Sequence, residues 1–230
     1  MTDALCHVLN EILGGLRSLQ SRLGDWLMNV DTGGSMRFRS ERGLNMDAFD
    51  FETISHAAIM RTIRLVRPRA TDIVYVLGSG KGRAVCHFAR RPVQKVVGIE
   101  ISGELCQEAR KNVKQVRFAR TSIEIRNADV AQSDLRDGTI YFMFNPFGEK
   151  TLRSVLRNIE DTHRGLEEQL RVIYVNPVYR HVLDTCRWLS VLHDYRRIRG
   201  GRVLIYQGRK LARLSGENQQ ESVVCLAHSG

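Results

Sequence analysis

Long apolar runs are missing from this chain of 230 residues, and nothing in it approaches the ~20 apolar residues that a membrane-spanning helix needs. The start of the chain also lacks a basic segment followed by an apolar core and a small-residue cleavage site, so a cytoplasmic protein without a membrane partner is expected. Cysteine is sparse and unpatterned. Cys6, Cys86, Cys106, Cys186 and Cys225 are odd in number and contain no Cys-x-x-Cys pair, which argues against a disulfide framework and against a zinc site. Proline occurs only four times, so Pro68 and Pro92 read as deliberate helix stops. Acidic residues are the scarcer charge, 25 against 35 Lys and Arg, which leaves a net charge of +10 and a pI near 9.8. That balance favours an anionic partner, with nucleic acid a candidate, although no nucleic-acid-binding motif accompanies it.

What the chain does contain is one sharp signal. Residues 72–83, Asp72-Ile-Val-Tyr-Val-Leu-Gly78-Ser79-Gly80-Lys81-Gly82-Arg83, are a short apolar run that stops in three alternate glycines and is followed by a helical stretch from Ala84 to Arg90. Glycines at such a strand-to-helix turn let the backbone take positive φ and approach a ligand, while the N–H groups opening the helix favour polar or anionic groups. A phosphate-binding loop is excluded because Gly82 is followed by Arg83 rather than by Lys and Ser or Thr. The dinucleotide pattern wants its third glycine one position later.

The spacing Gly78-x-Gly80-x-Gly82 resembles instead the glycine loop of class I S-adenosylmethionine-dependent methyltransferases, and Gly-Ser-Gly-Lys-Gly-Arg with Val97-Gly-Ile-Glu-Ile-Ser102 is similar to a bacterial branch of that family, mostly of unassigned substrate. The resemblance runs over residues 49–207. It implies that Gly78, Ser79, Gly80 and Gly82 pass under the methionine and ribose of S-adenosylmethionine. The chain departs from the family at Val76, where an Asp or Glu normally helps hold the methionine ammonium, and that departure keeps open a catalytically degenerate, cofactor-binding or interaction protein.

Lys95–Glu100 reads as the next parallel strand, with Glu100 at its carboxyl end about 20 residues beyond the loop, where an acid accepts hydrogen bonds from both ribose hydroxyls. Such an acid repels a 2′-phosphate and so disfavours NADP, though not NAD. Ile101 is placed to line an adenine pocket. Ser102 reads as the N-cap of the helix that follows. A third strand, Ser122–Arg126, ends in Asn127-Ala128-Asp129. Here the resemblance implies that Asp129 accepts from the adenine amine with Ala128 or Val130 supplying an N–H, whereas local chemistry alone offers an Asx turn.

Thr139–Phe144 is a central strand ending in Asn145-Pro146-Phe147-Gly148. This tetrapeptide partly resembles the Asn/Asp-Pro-Pro-Tyr/Phe motif of amino-group methyltransferases. In that comparison the Asn145 amide oxygen and the Pro146 carbonyl accept hydrogens from a planar amine, and Phe147 stacks on a flat substrate. Asn-Pro is equally a turn signal. Tyr174, Asn176 and Tyr179 follow at the end of the next strand, and His56 and His193 are the available bases.

The remaining elements imply an α/β fold: a doubly wound, mostly parallel seven-stranded sheet with a C-terminal antiparallel hairpin, residues 189–196 and 202–207, joined through Arg199-Gly-Gly201. An NAD-dependent oxidoreductase would instead end its sheet in a parallel strand. Three regions are expected: an N-terminal helical extension and basic loop (1–48), a cofactor-binding domain (49–210) and a flexible polar tail (211–230). In the extension, Leu5, Val8, Leu9, Ile12, Leu16, Leu19, Leu23 and Trp26 form an apolar stripe expected to cover the domain or to join a homodimer, with a kink at Gly14-Gly15. Arg37, Arg39 and Arg42 read as a basic lid. Before the next helix, which runs to Val66 and is capped by Thr53 or Ser55, the resemblance implies that Phe51 and Thr53 close over the cofactor.

Overall fold

A computed structural model describes residues 2–34, 53–163, 169–196 and 201–209. The expected lid arginines, Phe51 and the 211–230 tail lie outside these residues. The described residues hold seven strands, the first six joined mostly through helices: β1 (Ile73–Leu77), β2 (Lys95–Glu100), β3 (Ser122–Asn127), β4 (Ile140–Phe144), β5 (Arg171–Val175), β6 (Leu189–Arg196) and β7 (Arg202–Gly208). They form one sheet in the order β3-β2-β1-β4-β5-β7-β6, parallel through β5, with β7 antiparallel to both β5 and β6. The predicted sheet and its antiparallel hairpin are therefore present, and the parallel last strand of the oxidoreductase reading is not.

β1, β2, β4, β5 and β7 are nearly continuous apolar runs because both sheet faces are covered there, whereas the edge strands β3 and β6 mix polar and apolar residues. Alternate residues sort onto two cores. Tyr75, Leu77, Tyr141, Met143, Val172 and Tyr174 pack with Leu152, Val155, Leu156 and Ile159 of α5 (Glu149–Thr162). Val74, Val76, Ile140, Phe142, Ile173 and Val175 pack with Ile59 and Ile63 of α2 (His56–Val66) and with Val85 and Phe88 of α3 (Arg83–Ala89). α4 (Gly103–Gln115) starts at Ser102, whose hydroxyl accepts from the Leu105 N–H as the sequence predicts. The last described helix, α6 (Arg180–Asp184), is short and follows Tyr179 directly.

α1 (Thr2–Met28) runs unbroken through Gly14-Gly15, against the expected kink. Two glycines cost about 2 kcal/mol of helix propensity, a penalty that neighbouring turns can absorb. Its last two turns reach the domain. Gly24 permits the contact, since a Cβ there would fall 2.3 Å from the His56 ring. The segment after α1 is fastened by buried Asn112 of α4, which accepts from the Asp31 N–H and donates to the carbonyls of Asp31 and Lys81. The chain thus ties its first helix to the glycine loop itself.

Candidate active site

A cavity of about 490 Å³ opens at the carboxyl ends of β1, β2, β4 and β5. It lies where the strand order reverses between β1 and β4, the position at which open α/β sheets bind ligands. Its apolar wall includes Val76 and Phe142, paired across β1 and β4. Val76 thus faces the cavity at the position where the resembling family carries an acid.

The loop after β1 is built to hold a carboxylate. Gly78 and Ser79 donate their N–H groups to the Ile99 carbonyl, each at 2.9 Å, which keeps β1 and β2 together past the strand end. The Gly80 N–H donates to Glu100 Oε2 at 2.8 Å, and the Ser102 N–H donates to Oε1 at 3.0 Å. Each carboxylate oxygen therefore has at least one backbone donor and retains acceptor capacity. Burial raises the Glu100 pKa above 4.5, opposed by the hydrogen bonds from Ser102, Gly80 and Ile101.

Gly78 has φ +69°, and a Cβ there would lie 2.3 Å from the Pro146 Cβ. The glycine loop and the Asn145-Pro146 turn are thereby pressed into one wall. Gly78→Ala is expected to destabilise the protein by about 1–3 kcal/mol through overpacking and left-handed strain, measured by denaturant unfolding.

The predicted residues do not all face the cavity in the expected way. Gly80 and Gly82 are absent from its wall: Gly80 acts through Glu100, and Gly82 precedes α3 with its Cα turned toward Ala109 of α4. The Ser79 hydroxyl is buried without a hydrogen-bond partner among the described residues, while its N–H donates to the Ile99 carbonyl and its own carbonyl accepts from the Gly82 N–H. Ile101, Ala128 and Asp129 line the cavity. The Ala128 N–H, however, already donates to the Glu100 carbonyl at 3.1 Å and so is not the expected adenine donor. Asp129 Oδ1 accepts from the Ala131 N–H at 2.9 Å, the Asx-type cap that local chemistry offered. Thr53 lines the cavity while donating to the Gly34 carbonyl at 2.7 Å, and Ser55 rather than Thr53 caps α2.

At the end of β4, Asn145 adopts φ +41°, and Asn176 at the end of β5 adopts φ +52°. Both line the cavity and both precede a proline. Non-glycine residues in this region are uncommon, asparagine being the most tolerant, and such strain gathers at functional sites. The Tyr174 hydroxyl donates to Asn145 Oδ1 at 3.0 Å, so the amide oxygen has a fixed direction and already carries one donor. Burial pushes the Tyr174 pKa up to about 12, which keeps its proton in place for that bond. Phe147 reaches the cavity wall, but its ring is buried in the α5-side core and does not form an open stacking surface. Phe144, half-buried at the cavity, is the aromatic that sequence reasoning passed over.

The largest omission is a buried polar cluster behind the glycine loop. Arg83 lines the cavity and donates to Thr32 Oγ1 (2.6 Å), the Ile54 carbonyl (3.0 Å), Ser21 Oγ (2.8 Å) and Asp25 Oδ2 (3.0 Å). Asp25, from the last turns of α1, also accepts from the Thr32 hydroxyl (2.5 Å) and N–H (3.2 Å), and its Oδ1 lies 3.0 Å from His56 Nε2. Burial opposes the charge on Asp25, but hydrogen bonds from His56 and Thr32 and the charge of Arg83 outweigh it and hold the pKa below 3.8. His56 Nδ1 then faces His87 Nε2 at 2.8 Å. The two imidazole rings and the Asp25 carboxylate thus form one hydrogen-bonded chain through His56. Both His56 nitrogens are occupied, so it is not a general base for the cavity. His193 sits on β6, the outer edge of the sheet, and is no base for it either. No local pattern announces this cluster, since its members come from α1, the loop after it, α2 and α3.

Comparisons with known proteins agree with this fold. Residues 74–172 match the family described as methyltransferase domain. An RNA methyltransferase from Salinibacter ruber, solved with S-adenosyl-L-homocysteine, is 26% identical over 72% of this chain and all of its own, with a TM-score of 0.52. An rRNA methylase from Streptococcus thermophilus (14% identity, 68% of this chain and 99% of its own, TM-score 0.52) and the magnesium protoporphyrin IX methyltransferase from Synechocystis PCC 6803 with bound S-adenosylmethionine (15%, 66% and 79%, TM-score 0.51) share the fold. No curated protein matches the sequence. Residues 74–172 thus match the methyltransferase-domain family, and they lie in a sheet whose Rossmann-like strand order is shared with solved class I S-adenosylmethionine-dependent methyltransferases.

Proposed function

We propose that the chain uses S-adenosylmethionine to methylate a nitrogen of an anionic, nucleic-acid-like acceptor. The observation that carries the reading is the Glu100 carboxylate, oriented at the cavity wall by two backbone donors with acceptor capacity left on both oxygens. That arrangement suits a vicinal diol such as ribose. Ile101 and Asp129, also on the wall, would receive the base. The cofactor would supply the sulfonium methyl group; the protein's part is to align the acceptor and exclude water.

Asn145 is the residue that would orient the acceptor. Its amide oxygen, held by Tyr174, and the Pro146 carbonyl offer acceptors for the two hydrogens of an amine, which frees the nitrogen lone pair for in-line attack. Asn176, its neighbour in the same backbone conformation, adds a second amide. An anionic acceptor is supported by the net charge of +10 and by the RNA substrate in the name of the Salinibacter relative.

Titration calorimetry with S-adenosylmethionine, followed by transfer of labelled methyl to total RNA, tests the proposal. Absence of cofactor binding would overturn it. Asn145→Gly is expected to keep or raise stability, since it relieves the positive φ, yet to lower turnover at least tenfold with cofactor affinity unchanged. Tyr174→Phe should lower turnover about two- to tenfold, the worth of one hydrogen bond. A second reading, a scaffold that binds the cofactor without transferring its methyl group, is favoured by Val76 at the cavity wall. It predicts binding of S-adenosylmethionine and S-adenosylhomocysteine with equal affinity and no methylated product.

A further inference from the structure

An amphipathic helix normally buries its apolar face, and the described side chains of α1 do the reverse. The face it turns to the domain carries Ser21, Gly24, Asp25 and Met28, which meet Arg83, His56, Thr32 and the small core around Val30, Cys86 and Val116. On the opposite face Leu16, Leu19, Leu23, Trp26 and Leu27 are 46%, 63%, 57%, 66% and 53% exposed. No described element covers them.

The spacing of this stripe selects its partner. Leu5, Leu9, Ile12, Leu16, Leu19, Leu23 and Trp26 alternate steps of four and three without interruption, which is a heptad seam over three full repeats, the length a stable coiled coil needs. In that register Gly14 and Gly15 fall off the seam, which is why they do not break it. A helix of 27 residues is roughly 40 Å long, far more than its docked last two turns require. The charges narrow the choice further. α1 carries Asp3, Glu11 and Asp25 against Arg17 and Arg22 and contains no lysine, so it lacks the cationic face of a membrane-surface helix and offers nothing to a polyanion. Beside the seam lie Cys6, Val8, Leu13, Gly15, Gln20 and Leu27, with Arg22 the single charge there, so an identical helix meets no like-charge opposition along its flanks beyond that one residue.

We infer that the exposed face of α1 binds a second copy of this chain, the two helices pairing as a coiled coil while each remains docked on its own domain through Asp25. The interface lies on the far side of α1 from the cavity-lining Arg83, so it leaves the cofactor cavity intact.

Sedimentation equilibrium of the full chain at micromolar concentration is expected to give twice the mass of one chain. Leu16→Glu combined with Leu23→Glu should return the mass of a single chain, raising the dissociation constant at least hundredfold, while far-UV circular dichroism and the calorimetric cofactor titration stay unchanged. Phe118→Glu, at an exposed aromatic outside the seam, should leave the dimer unaltered. A wild-type protein that is monomeric at these concentrations overturns the inference. So does a dimer that survives the double substitution, or one that Phe118→Glu dissociates. Co-sedimentation of the wild type with anionic vesicles, lost in the double variant, would assign the face to lipid and equally overturn it.

Discussion

Asp25→Ala is expected to destabilise the protein by about 3–5 kcal/mol, the largest single effect we foresee. The substitution removes the carboxylate that accepts from Arg83, Thr32 and His56, all buried, and leaves the Arg83 guanidinium charged and desolvated. Removing one partner of a buried pair costs far more than the pair contributes, because the survivor has no route back to water. Arg83→Met, which removes the stranded charge as well, should recover part of the loss when combined with Asp25→Ala, as coupled neighbours do. Denaturant titrations of the two single variants and the double variant measure this directly, and additive losses would show that the cluster does not act as a unit.

The same cluster sets an acid limit on stability. Burial holds His87 neutral, with a pKa pushed down to about 3 from 6.5. Between those values the unfolded chain binds a proton that the folded chain refuses, so stability falls as pH is lowered from 6.5 toward 3. Asp25 adds to the slope at its lower end, where protonation below 3.8 removes its stabilising charge. Unfolding free energies across this interval should therefore decline with falling pH, and His87→Phe should flatten the upper part of the curve. A slope unchanged in that variant would assign the acid sensitivity elsewhere.

Glu100→Ala is expected to weaken S-adenosylmethionine binding more than a hundredfold. Two hydrogen bonds from hydroxyls to a charged acceptor contribute about 1.5–3 kcal/mol each, and 1.4 kcal/mol is a factor of ten. Glutamine should not rescue the loss. The Gly80 and Ser102 N–H groups approach opposite oxygens of the carboxyl group, so an amide NH2 in either orientation faces a donor with a donor. Because burial raises the Glu100 pKa above 4.5, affinity should decline with falling pH from a higher starting point than an ordinary glutamate would give, as the protonated carboxyl loses acceptor capacity. Calorimetric titrations of the wild type and both variants across pH test each step. Wild-type affinity in Glu100→Ala would remove Glu100 from the site.

Much of the fold was legible before the structure because its determinants are local. Five apolar strands buried on both faces, the Ser102 cap and the hairpin around Gly201 each follow from residue types adjacent in sequence. The cavity was legible at its edges for the same reason. Glycines that end β1 and an acid that ends β2 mark the carboxyl edge of a parallel sheet wherever they occur, and Asn145 stood out as the first residue beyond the central strand.

What sequence reading missed depends on directions that no one-dimensional pattern carries. It could not tell that Gly80 would hold Glu100 rather than touch a ligand, that Phe147 would turn into the core, or that the Ala128 N–H would be spent on the Glu100 carbonyl. Nor could periodicity say which side of α1 meets the domain. The apolar stripe was plain from its spacing, but the docking face was selected by Asp25, whose partners Thr32, His56 and Arg83 lie up to 58 positions away in the chain. Backbone periodicity and turn chemistry act between neighbours and are written in the order of residues; the pairing of buried charges acts through space, and only the folded chain decides it.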